Sequence, residues 1–93
     1  MAQLSRLLLL EMLEKQGFCC ALSGIELSPD NAAVDHKIPL TCGGKHDATN
    51  AQILDATINR MKGTLTTEEF VSYCEKVVDF AHERVARTAR NTA

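Results

Sequence analysis

Aromatic residues are scarce in this chain of 93 residues: tryptophan is absent, and Phe18, Phe70, Phe80 and Tyr73 make up the whole set. Binding of single strands by base stacking needs exposed aromatic platforms, so that mode is disfavoured. An excess of positive charge is also missing. Ten Lys and Arg face twelve Asp and Glu, a formal charge of -2, and the chain as a whole exerts no strong attraction on a nucleic acid. There is no C-x-x-C pair among Cys19, Cys20, Cys42 and Cys74, and two adjacent cysteines are a poor start for a disulfide framework. Reduced thiols in an intracellular protein are the expectation. The leucines at 7–10 are preceded by Arg6 and followed by Glu11, Glu14 and Lys15, far short of the roughly twenty apolar residues of a membrane span. A soluble, cytoplasmic protein that engages no membrane is expected.

What is present fits one small domain. The 45% hydrophobic and 24% charged fractions are those of a globular chain rather than a disordered one. At this mass roughly 60–65% of the unfolded surface is buried on folding, enough for a core with modest stability to spare. Residues 2–16 read as a helix whose Leu4, Leu7, Leu8, Leu10, Met12 and Leu13 give a wide apolar face, stopped by Gly17. From Phe18 to Gly44 short extended pieces alternate with turn signals. Val34, His36, Ile38 and Leu40 alternate with Asp35, Lys37 and Pro39 as in a strand or hairpin arm. A second helix is expected from Thr49 or Asn50 to Lys62, with Ala51, Leu54, Ile58 and Met61 inward and Gln52, Asp55, Asn59 and Lys62 as a polar stripe. Thr66 and Glu69 stand in capping-box spacing at the head of a third helix, expected over 66–88, whose Phe70, Cys74, Val77, Val78, Ala81 and Val85 share a face. The last residues, 89–93, read as a tail.

The chemistry concentrates between Asp35 and Lys62: an adjacent Asp35-His36 pair on an extended piece, the Gly43-Gly44 loop, and Asn50 and Asn59 nine residues apart. This pattern resembles the HNH endonuclease family, over about residues 18–70. His36 matches the family's first letter, Asn50 the middle one, and Asn59 stands where the family has a final His or Asn. Asp35 matches the acidic residue before the first His. The resemblance implies an α+β fold: a ββα-metal finger over 18–63, flanked by an N-terminal helix within 1–17 and the C-terminal helix. It also implies metal-dependent hydrolysis or nicking of DNA, leaving 3′-hydroxyl and 5′-phosphate ends.

The residue types suit that role. Hydrolysis of a phosphodiester needs a base for the attacking water and positive charge near the oxygens that gain negative charge. An unperturbed imidazole titrates near about pH 6.5, so His36 can serve as the base. The Asp35 carboxylate and the Asn59 amide oxygen are hard donors suited to Mg²⁺, with Mn²⁺ or another transition ion as substitutes. Asn50 is expected to hold the loop backbone rather than touch substrate. Lys62, Arg60, Lys37 and Lys45 are expected at DNA phosphates, and His46 as an auxiliary phosphate or metal contact. Strict strand alternation sends Asp35 and His36 to opposite faces, whereas the site needs both near one phosphate.

The sequence departs from family members that carry two C-x-x-C pairs around a structural zinc. The matching places read Cys20 with Ser23 and Asp55 with Ile58, which excludes a four-cysteine site there. A site drawn from the four cysteines elsewhere stays open. Charge placement also revises the opening arithmetic. Lys37, Lys45, Arg60 and Lys62 flank the motif and Arg84, Arg87 and Arg90 make a basic end, so a weak, salt-sensitive grip on double-stranded DNA is expected. A homodimer or a larger phage or host complex would strengthen it. Two rivals remain: a non-catalytic DNA-binding or phage-type packaging accessory protein on the same scaffold, and a helical protein-interaction module.

Overall fold

The computed structural model describes residues 4–91, with side chains through Thr88. The architecture is α+β. Helix α1 spans Arg6–Lys15, strand β1 Ala32–His36, strand β2 Ala51–Asp55, helix α2 Ala56–Lys62 and helix α3 Thr67–Asn91. Expectations on residues 1–3 and on the side chains of 89–93, Arg90 among them, lie outside the described residues.

Helix α1 starts where the Ser5 hydroxyl accepts from the Leu8 amide, satisfying one of the donors a helix start leaves open. Gly17, at φ 63°, carries the chain out of it. The wide apolar face is only partly used. Leu8, Leu9, Met12 and Leu13 are half-buried, Leu7 is 74% exposed, and no residue of α1 is fully buried.

Strands β1 and β2 pair antiparallel, with Val34 opposite Ile53 and His36 opposite Ala51. The expected long helix over 49–62 is thereby corrected: its first part is β2, and α2 begins only at Ala56. A helix there would have left the backbone of β1 without a partner. Asp55 makes the switch, its carboxylate accepting from the Thr57 and Ile58 amides as the cap of α2. The expected extension of β1 to Leu40 is corrected as well. The strand ends at His36, the chain turns through a short 3-10 segment at Leu40–Cys42, and Ile38 and Leu40 are exposed.

All five residues of β2 are buried. On its outer edge the Gln16 side chain imitates a neighbouring strand, its amide donating to the Ile53 carbonyl at 2.8 Å and its oxygen accepting from the Ile53 amide at 3.0 Å. The edge is closed to pairing with other chains at this point. The core comprises Cys20, Ala51, Ile53, Leu54 and Phe70. Helix α3 starts with the expected capping box, in which the Thr66 amide donates to Glu69 and the Glu69 amide to the Thr66 hydroxyl. Among the described residues no helix is long and apolar enough to cross a membrane.

Candidate functional site

Asp35 and His36 sit at the end of β1, and Asn59 on α2. All three line one open cleft of about 260 Å³, walled also by Pro39, Leu40 and Thr41. Both residues border the cleft, yet strand pairing stays regular to the end of β1, with Asp35 opposite Gln52 and His36 opposite Ala51, so alternation holds: the Asp35 carboxylate meets Gln52 and Lys62, and the His36 ring meets His46.

Asp35 is buried and fully engaged. The Lys62 ammonium lies 3.2 Å from each carboxylate oxygen and donates also to the His36 carbonyl at 3.0 Å. The Gln52 amide donates to the same carboxylate at 2.9 Å and to the Thr67 hydroxyl at 3.0 Å. Strand β2, helix α2 and the head of α3 are therefore clamped around one charge. The Lys62 side chain is 0% exposed, which corrects the expectation that it meets a DNA phosphate: its three hydrogens are directed inward and water does not reach it. The sequence places Gln52 only in a polar stripe of the expected second helix. Its role depends on the pairing of β1 with β2, which puts it opposite Asp35, and no local signal announces that.

His36 is half-buried, and its Nε2 lies 2.7 Å from Nδ1 of His46, an exposed loop residue. One nitrogen donates and the other accepts. If His46 donated, a neutral His36 would carry its own proton on Nδ1 and have no lone pair left. Action as a base therefore requires His36 to donate from Nε2, leaving Nδ1 free, and that bond survives when Nδ1 takes up a proton.

Asn50 is buried and stitches the loop between the strands. Its amide donates to the carbonyls of Ile38 and Lys45, and its oxygen accepts from the Ile38 amide. Gly44 is the necessary neighbour, since a methyl group there would overlap the Ile38 carbonyl and come within 2.8 Å of the Asn50 amide. Asp47 orders the same loop. The Thr49 hydroxyl bonded to it holds its carboxyl below the usual range, with help from backbone amides and Lys45.

The remaining basic residues do not converge on the cleft. Lys37 lines a separate hollow against Leu8, Met12 and Gln16. Arg60 donates to the Thr57 hydroxyl and its charge acts on Asp55. Lys45 is exposed on the Asn50 loop beside His46. The four cysteines are free thiols, and among the described residues no group of three or more His, Cys, Asp and Glu side chains gathers as a metal site. Asp35 and Asn59 both border the cleft, but the two Asp35 oxygens are already engaged by Lys62 and Gln52. A hard divalent ion held there would have to share that carboxylate with Lys62 and keep most of its water.

No protein-family model matches the chain, and no curated protein matches it.

Proposed function

We propose that the chain is a metal-dependent nuclease of the HNH type that hydrolyses phosphodiester bonds of double-stranded DNA. The observation that carries this reading is the meeting of Asp35, His36 and Asn59 in one cleft, although they come from two elements and span 25 positions of the chain. The cleft is open to solvent, which leaves it within reach of a phosphate on a long polymer. His36 takes a proton from the attacking water at Nδ1 while Nε2 stays bonded to His46, which keeps the ring oriented through the step. Asn50 holds the loop that carries His46 and the turn after His36. A divalent ion bound by Asp35 and Asn59 would supply positive charge where the phosphate oxygens gain negative charge.

The test is a plasmid-nicking assay with Mg²⁺ or Mn²⁺. His36→Ala removes only the base, so the variant is expected to keep its fold by circular dichroism and to lose cleavage by at least about 100-fold. Undiminished nicking by the pure, folded variant, or cleavage that persists in EDTA, refutes the assignment.

One observation favours a second reading, a non-catalytic DNA-binding protein on the same scaffold: the Asp35 carboxylate already holds a buried cation. That reading predicts DNA binding unaffected by metal, and no cleavage with any divalent ion.

A further inference from the structure

Helix α3 is 25 residues long, about 37 Å at 1.5 Å per residue, and most of it projects from the body of a molecule measuring 62 × 28 × 18 Å. Phe70 is its buried anchor. From Glu75 to Thr88 every residue is exposed, yet this stretch is not polar all round. Val71, Cys74, Val78, Ala81, Val85 and Thr88 recur at spacings of three and four, the seam of a two-helix coiled coil. Val78 is 49% and Val85 68% exposed. An apolar stripe of this length in water marks a surface that another molecule covers.

Two features say which molecule. At the root of α3, Val71, Cys74 and Val78 form with Leu22, Ile58 and Met61 an apolar groove of about 370 Å³. Further along, Ala81, Val85 and Thr88 line a shallow hollow of their own with Arg84. The charges divide in the same way. The root half holds Glu68, Glu69, Glu75 and Asp79 against the single Lys76, whereas the projecting half holds Arg84 and Arg87 against the single Glu83. The groove thus has an acidic setting and the projecting tail a basic one.

We propose that α3 is a self-association surface on which two copies of this chain pair antiparallel, the tail of each lying in the root groove of the other. The seam is self-complementary about its midpoint: Val71 meets the partner's Thr88, Cys74 the partner's Val85, and Val78 the partner's Ala81. Both halves of the interface are then identical, as two-fold symmetry requires. Parallel pairing would lay acidic root beside acidic root and bring both bodies to one end. Antiparallel pairing sets acidic halves beside basic ones within a screening length and places the bodies at opposite ends. The association does not depend on the nuclease reading; if both hold, the dimer presents two sites, one for each DNA strand.

Sedimentation equilibrium of the full chain across a concentration series tests this. The expected result is a reversible species of twice the 10.2 kDa chain mass. Val78→Asp with Val85→Asp changes two exposed positions, so helicity is expected to be kept while the dimer dissociates. Orientation is read from charge reversal. The root variant Glu75→Lys/Asp79→Lys and the tail variant Arg84→Glu/Arg87→Glu should each self-associate about tenfold more weakly. Mixed one to one they should recover, because every root then meets a tail of opposite sign. A wild-type chain that is monomeric at every concentration, including one that partitions onto lipid vesicles instead, overturns the proposal. So does a dimer that survives the double Asp variant, or a mixture no tighter than its components.

Discussion

Replacing Lys62 with methionine keeps the aliphatic stem in place and removes only the ammonium. The side chains of Lys62 and Asp35 are 0% and 6% exposed, so water does not take over what the ammonium supplied. Asp35 would retain the Gln52 amide at 2.9 Å and otherwise face an uncompensated buried charge. Breaking one side of such a pair costs about 3–5 kcal/mol, against a total stability on the order of 5–15 kcal/mol for a small domain. At about 4–8 °C per kcal/mol for a chain of this size, the melting temperature should fall by at least about 12 °C. Urea unfolding followed at 222 nm gives the free energy directly. A second variant, Lys62→Met with Asp35→Leu, should regain most of the loss, since removing both charges removes the need for either. High salt should change the wild-type pair little, because screening ions do not enter. If Lys62→Met does not fold, Gln52→Leu withdraws one hydrogen bond from the same carboxylate at about 1–3 kcal/mol. A loss below about 1 kcal/mol for Lys62→Met, or a double variant as unstable as the sum of its parts, would refute the reasoning.

Gly44→Ala should destabilise the loop by about 1–3 kcal/mol or more, because the added methyl displaces the Ile38 carbonyl or opens the Asn50 bonds. Gly43→Ala meets no atom within 4 Å and should cost only the roughly 1–2 kcal/mol of its left-handed φ of 87°; equal losses in chemical denaturation would contradict the account of Gly44. Asp55 is held below the usual carboxylate range first by the Asn31 side chain, then by the amides it caps on α2 and the charge of Arg60. Its contribution is therefore complete above the ordinary carboxylate value of about 4 and is lost as pH falls through the lower folded value. Asp55→Asn should flatten the acid side of a stability-against-pH curve, and an unchanged slope below pH 4 would count against this origin.

Parts of this fold are written locally. The capping box of Thr66 and Glu69, the Gly17 stop and the turn at Gly43-Gly44 each concern residues a few positions apart, and each forms where its spacing indicates. The Asp35-His36 pair with Asn50 and Asn59 was legible in the same way, as residue types at intervals. That Asp35, His36 and Asn59 border one cleft was not, because it depends on how β1 pairs with β2 and where α2 then lies. Ala51-Gln52-Ile53-Leu54-Asp55 fits a helical face as well as a short buried strand, and only the need of β1 for a partner decides between them.

Lys62 marks the same boundary on the functional side. A lysine three residues after Asn59 on a helix reads as a cation beside a site, but its ammonium is turned to the interior by the carboxylate that β1 brings beneath it. On α3 the sequence determined the amphipathic stripe, the cap and the division of charge along the axis. Tertiary structure decided that the stripe is exposed over its projecting half, since the small body covers only the turns around Phe70. Propensity, capping and periodicity act over a few residues and are fixed by the chain itself, whereas burial and ion pairing belong to residues that meet only once the chain has folded.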